Sequence, residues 1–221
     1  EMLRSLVGSE MCIRDSKKIV FVTFDDGPTT KFTGEQLDNL EKAGARATFF
    51  MIPPQMRDVG KNLLSRSLKM GNALAIHSYS HDYKYLYHGR AADKAKHIGC
   101  DWDWAMAQSR AILGSNYFSS AFRYPGGHMS WTNLSQADAA LAKRGVGWID
   151  WNAMSGDADA QRPTTVPGYL QMVKKSIKES NNPNVVVILN HDTYGKQMTA
   201  KAMPSILAWL KSQGYEFGVI A

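Results

Sequence analysis

Seven short strand-like runs alternate with six helical patterns from Lys17 onward, and this alternation limits the fold more than any other feature of the chain. The runs are KKIVFVTF (17–24), ATFFMI (47–52), ALAIH (73–77), AFRYP (121–125), VGWIDWN (146–152), VVVILN (185–190) and YEFGVI (215–220). Helices are expected over about 33–43, 55–69, 91–113, 134–144, 167–179 and 199–213. Thr33 is placed to cap the first helix and Gly44 to end it; Pro204 is expected near the first turn of the last. Strand-then-helix units imply parallel strands joined by right-handed crossovers. An open doubly wound sheet and a barrel both satisfy that pattern. No internal repeat or linker interrupts it, so residues 17–221 are expected to form one domain.

The first run ends in TFDDGP, with two adjacent carboxylates, Asp25 and Asp26, at the end of an apolar strand. Two like charges side by side in a core are costly unless something compensates, and a metal ion is the natural candidate. In parallel α/β folds the active site lies at the C-terminal ends of the strands. The polar residues found there are complementary. ALAIH leads into HSYSH, with His77 and His81 four apart; AFRYP carries Arg123; VVVILN ends in His191 and Asp192. VGWIDWN carries Asp150 and is followed by Asp157. A helical turn after the third strand would face both imidazoles the same way. Two imidazoles and one carboxylate make an open site for zinc or a similar divalent ion. Neighbouring side chains diverge along a strand, so one of Asp25 and Asp26 is expected to be a ligand and the other free to take a proton. Arg123 could pair with the free carboxylate. His191 could act as a general acid, with Asp157 or Asp150 as its carboxylate partner. His88 and His97 are expected on the surface, and His128 could line the cleft. Tyr79, Tyr83, Tyr124, Trp131, Trp148 and Trp151 crowd the same loops and offer faces for sugar rings.

Composition excludes other classes. The 221 residues are 44% hydrophobic and 21% charged, ordinary for a soluble globular domain, and no apolar run approaches the roughly 20 residues of a membrane span. The net charge of +6 comes from scattered basic residues, with no arginine-rich run, so an anionic surface such as a bacterial wall is the expected partner and nucleic acid is not. No G-x-G-x-x-G follows a strand, which argues against a dinucleotide-binding fold. The stretch LVGSEMCIRDS (6–16) resembles one reading frame of a transposase adaptor used in sequencing libraries. Residues 1–16 are therefore expected to be adaptor-derived or disordered, in place of a natural N-terminus that carried an export segment or anchor. Cys12 then drops out, and Cys100 alone can form no internal disulfide.

Together TFDDGP, HSYSH, RYPGG and LNHD resemble, in order, the motifs of the polysaccharide deacetylases, the NodB-homology enzymes of carbohydrate esterase family 4. The resemblance covers nearly all of 17–221. It implies a distorted (β/α) barrel of about seven parallel strands, with one divalent metal, usually zinc. It implies Asp26, His77 and His81 as metal ligands, Asp25 as general base, Arg123 as the residue that orients it, and His191 as general acid. The backbone N–H near Gly126 would help hold the oxyanion, and Leu189 would line the acetyl pocket. The family's fourth motif, Asp-x-x-Asp-Trp, is altered. One register uses Asp150-Trp151 but has Gly147 upstream; the other makes Asp157 the second Asp, with Met154 and Ala158 in place of Asp and Trp. Asp157 is favoured as the partner of His191, and Trp151 is expected at the substrate. The implied activity is N-deacetylation of peptidoglycan N-acetylglucosamine by an exported monomer, with chitin oligomers and acetyl-xylan as rival substrates and a non-catalytic glycan-binding module as the rival function.

Overall fold

The computed structural model describes residues 17–221; the expectations for residues 1–16 and Cys12 lie outside them. The centre of the fold is β1 (Lys18–Gly27), the long apolar run of the sequence. β2 (Ala47–Met51), β3 (Ala73–Ile76), β4 (Ala121–Phe122) and β5 (Gly147–Trp148) follow on one side of it. β7 (Val185–His191) and β6 (Ala153–Met154) lie on the other. β8 (Tyr215–Phe217) pairs with the start of β1, whose later residues pair with β2. Every pairing is parallel. The seven strands of the main path curl into a half-barrel wrapped by helices, which settles the choice left open by the sequence pattern.

Strand alternation sorts the side chains into two buried layers. Val20, Val22 and Phe24 of β1, with Val186 and Ile188 of β7, join a large core with α1 (Phe32–Ala43), α2 (Met56–Lys69), α6 (Val166–Glu179) and α7 (Gln197–Ser212). The opposite face turns Phe21, Phe50, Ala75, Ala121 and Val187 into the barrel interior. A third cluster packs α4 (Ala91–Leu113) and α5 (Ser135–Ala142) over β3 and β4. The short α3 (Tyr83–Tyr87) begins just beyond His81.

Of the expected strand over 146–152 only β5 forms, and β6 begins just past it at the opposite end of the sheet path. Ile149 N–H still donates to Phe122 beside β5, while Asn152 N–H donates to Val187 on β7. Residues 149–152 thus cross from one edge strand to the other. The Asn152 side chain continues the ladder, accepting from Val187 N–H and donating to Val185 O. The AFRYP strand is likewise cut to Ala121–Phe122 by the turn at Pro125. Thr33 does not cap α1; Thr29 Oγ1 accepts from Phe32 N–H instead, and Thr33 Oγ1 accepts from Thr29 N–H. Gly44, at φ 56°, ends the helix as expected.

Pro204 also departs from expectation, standing well inside α7 rather than in its first turn. Having no N–H, it cannot bond the Ala200 carbonyl one turn back. Asn39 Nδ2 on α1 donates to that carbonyl at 2.9 Å. The bond that proline removes within one helix is thereby replaced from another. Asn39→Ala should cost about 1 kcal/mol in urea denaturation, and less in a Pro204→Ala background, where the helix can satisfy Ala200 itself. Equal costs in the two backgrounds would remove this explanation.

Candidate active site

Both carboxylates of TFDDGP reach one place because β1 breaks its alternation. The β1–β2 register slips between Asp25 and Gly27, and Asp26 takes a left-handed conformation at φ 67°. Asp25 keeps the inward direction of the strand. Asp26, which would otherwise point to the helices, swings back beside it. His77 Nε2 then lies 3.8 Å from Asp25 Oδ2 and 3.4 Å from Asp26 Oδ1. Close packing against Asp192, whose Oδ2 would stand 2.8 Å from a Cβ at Gly27, leaves room only for glycine at the next position.

Arg123 is wholly buried inside the barrel, with Asp25 only 2% exposed. Its NH1 donates to Asp25 Oδ1 at 2.8 Å and Thr23 Oγ1 at 2.6 Å. Its Nε and NH2 donate to the carbonyls of Ile149 and Asp150, and its guanidinium lies 4.1 Å from the Phe50 ring centroid. One Asp25 oxygen is therefore fixed by arginine while the other faces His77.

The HSYSH segment is an irregular loop, not the helical turn expected from the spacing. Ser78 and His81 have positive φ, and Ser78 Oγ accepts from His81 N–H at 2.8 Å. Asp101 on α4, fully buried, accepts from Tyr79 N–H at 2.6 Å and Ser80 N–H at 2.9 Å. The sequence reading missed Asp101. Its only trace there is a carboxylate on the apolar face shared by Ile98 and Ala105. The loop brings His81 Nε2 to 3.2 Å from Asp26 Oδ1.

One ligand atom each from Asp26, His77 and His81 fall within 4.8 Å of one another. His77 Nδ1 lies 2.9 Å from the Arg123 carbonyl, which accepts only from N–H, so Nε2 is the nitrogen that can give up its proton and offer a lone pair to an ion. Burial works to raise the Asp26 carboxyl, but hydrogen bonds to His77 and His81 overcome it and hold it far below the ordinary carboxylate range. An ionised carboxylate and two imidazoles fit zinc or a similar divalent ion, with coordination positions left open.

Asp25 and His191 are register partners on adjacent strands, so both point inward side by side. The partner of His191 is Asp157. Its Oδ1 lies 2.7 Å from His191 Nδ1, and its Oδ2 accepts from His191 N–H and Thr199 Oγ1. Burial works to lower the His191 imidazole, yet the bond and charge of Asp157 outweigh it and raise the group above its ordinary value. Asp150, the competing candidate, does other work: its carboxylate accepts from His128 N–H and Met129 N–H and ties down the loop after RYPGG. Asp192 is buried without a charged partner among the described residues, and burial pushes its carboxyl up to about 8 against a bond from Thr33.

Of the remaining candidates, Leu189 is buried two residues before His191 and on its face. Trp151 lies near the Arg123 guanidinium and under Gly127. Gly126 is exposed at φ 79°, with the Tyr83 hydroxyl 3.3 Å from where a Cβ would stand. His128 does not join the ligand group; it stacks on Trp148 with Nε2 against Asp138, and Tyr124 is a core residue bonded to the same carboxylate. His88 is exposed as expected, but His97 is half-buried against Tyr85.

The family model for polysaccharide deacetylases matches residues 13–144. The chain belongs to the polysaccharide deacetylase family. Among its relatives, YheN of Bacillus subtilis is 31% identical over 92% of this chain and 67% of its own length. A bifunctional xylanase/deacetylase of Pseudobutyrivibrio xylanivorans is 30% identical over 93% of the chain, which spans only 30% of that protein. A peptidoglycan-N-acetylglucosamine deacetylase of Bacillus cereus is 28% identical over 91% of the chain and 68% of its own length. The structure of a CE4 esterase from Streptococcus mutans matches with a TM-score of 0.87 at 38% identity, covering 97% of this chain and 92% of that one. This deacetylase therefore shares both the fold and the hydrolase family of the carbohydrate esterases.

Breaking the Arg123–Asp25 pair strands a charge in a dry interior. Arg123→Met should lower the unfolding free energy by about 3–5 kcal/mol in guanidinium denaturation, and adding Asp25→Asn should recover part of that loss. A cost below about 1 kcal/mol in the single variant would show that the pair is not dry.

Proposed function

We propose that this deacetylase is a metal-dependent hydrolase that removes N-acetyl groups from the N-acetylglucosamine of bacterial peptidoglycan. The observation that carries the reading is the convergence of two distinct sets at one strand end. Asp26, His77 and His81 offer a ligand set, and beside it stand a fixed carboxylate, Asp25, and a carboxylate-backed imidazole, His191. Pure glycan binding would need neither set.

In this reading Asp26, His77 and His81 hold the ion. When bound, it supplies Lewis acidity to the acetyl carbonyl and lowers the pKa of a water towards about 7. Asp25 Oδ2 would accept the proton of the attacking water, while Arg123 holds Oδ1 and keeps the carboxylate aimed. The Gly126 N–H donates to the oxygen that gains negative charge. His191, protonated through its pairing with Asp157, gives its proton to the departing nitrogen. The carbon–nitrogen bond breaks, and acetate and a glucosamine residue leave. Leu189 and Trp151 wall the acetyl group.

The substrate choice rests on the peptidoglycan deacetylase relative and on the basic net charge of +6, which suits an anionic wall. That substrate lies outside the cytoplasmic membrane, so the reading requires export to the cell surface or beyond. Acetyl-xylan is the second reading, favoured by the xylanase/deacetylase relative.

Acetate release should be measured on peptidoglycan, N-acetylglucosamine oligomers and acetyl-xylan, after chelation and again after zinc or cobalt is restored. Release that stops with chelator, returns with metal and is fastest on peptidoglycan is expected; fastest release from acetyl-xylan would select the ester substrate. Asp25→Asn should bind zinc normally yet lose about 10²–10⁴-fold in kcat, and near-normal turnover would refute its role as base. The pH profile tests the acid. His191 must be protonated to donate, so kcat holds below its raised pKa and falls above it. Asp157→Asn removes the raising partner and should move that alkaline limb to lower pH. An unmoved limb would assign it to another group.

A further inference from the structure

Residues 126–131 form a loop in which nearly every amide is spoken for. The N–H groups of Gly127, Ser130 and Trp131 donate to the carbonyls of Tyr124, Gly127 and His128. Those of His128 and Met129 donate to the Asp150 carboxylate. Gly126 N–H alone among them has no hydrogen-bond partner among the described residues, and Gly126 is exposed. A single open donor in a loop otherwise satisfied suits an oxygen supplied by a ligand.

The direction of that donor is set from behind. The Pro125 carbonyl accepts two hydrogen bonds, from Tyr87 Oη at 2.9 Å and from Trp131 Nε1 at 2.9 Å. Two donors occupy both lone pairs of the oxygen and fix its direction. The Pro125–Gly126 peptide is trans, since Gly27–Pro28 is the one cis bond among the described residues. In a trans peptide the N–H points opposite to the C=O. Gly126 N–H is therefore aimed away from the Tyr87–Trp131 pair. The pair is packed face to face: the two rings stack at 3.8 Å with planes 16° apart, and Tyr87 is 7% exposed. Tyr83 links this loop to the ligand group, its ring 5.4 Å from that of His81 and its hydroxyl over Gly126.

We propose that Tyr87 and Trp131 are positioning residues, which clamp the Pro125 carbonyl and so aim the Gly126 N–H at the reacting acetyl oxygen. The inference rests on the deacetylase reading for its catalytic consequence, but the clamp itself does not. Neither side chain acts on the substrate in this role. Their effect is to remove the reorientation that a free peptide plane would undergo during the reaction.

Tyr87→Phe and Trp131→Phe delete the donors and keep stacked rings. Complete loss of an oxyanion donor costs about 10²–10³ in kcat, so each variant should lose about tenfold and the pair about 100-fold, with KM within about twofold. Nitrogen-15 relaxation of the Gly126 amide gives a readout independent of turnover. Its order parameter should fall from about 0.85 in the native protein to below about 0.6 in the double variant. An order parameter unchanged in the double variant overturns the clamp. A looser Gly126 with kcat unchanged overturns its catalytic use, as does a rise in KM alone in Trp131→Phe, which would make Trp131 a sugar contact. If the native protein releases no acetate from any substrate, the deacetylase reading fails, and the relaxation result still decides the clamp.

Discussion

Arg123 carries a full positive charge into the interior of the half-barrel, and the rest of the site is organised around how that charge is satisfied. Its guanidinium joins β1, through Thr23 and Asp25, to the carbonyls of Ile149 and Asp150 in the crossing segment. Its own carbonyl meets His77 Nδ1 and leaves Nε2 facing the carboxylates. One residue thus fixes Asp25, the tautomer of His77 and the strap between the two edge strands. Burying an ion pair seldom adds net stability. Its value here is geometric, since five separate groups are held in one arrangement.

The second organising device is local backbone strain. Asp26, Ser78 and His81 all have positive φ without being glycine, and all three belong to the site. Such conformations cost of order 1–3 kcal/mol each and persist only where surrounding bonds hold them. Asp101 and Ser78 Oγ hold the histidine loop, and the slipped register of β1 holds Asp26. This framework holds the side-chain atoms of Asp26, His77 and His81 within 4.8 Å of one another.

Much of this arrangement was legible in the sequence. Ionisable residues at the ends of buried apolar runs contradict the apolar pattern, so Asp25, Asp26, His77 and His191 declare themselves, and parallel topology gathers strand ends. The parts that could not be read are side-chain-to-backbone bonds across long sequence separations. Asp101 looks like a blemish on a helix until its carboxylate is seen under Tyr79 and Ser80. Asp150 sits next to Trp151 in a family-like pair, yet it serves the 128–129 amides. The run 146–152 has strand composition throughout, and only its two different neighbours split it. The i,i+4 spacing of the histidines suggested a helical turn because spacing says nothing of left-handed residues.

The pairing of β1 with β7 has a consequence for how the protein is made. Asp25 lies near the start of the described chain and His191 near its end, yet they are register partners. β8, the last strand, completes the edge of β1 beside Lys18–Val20. During synthesis the first strand emerges with its best partner still unmade, and contacts so distant in sequence close slowly. The β2 edge of the central strand can pair early, but its other edge stays open until almost all of the described chain is available. The two groups proposed to move protons cannot meet until His191 has been made, so a chain cut before that residue lacks the pairing altogether.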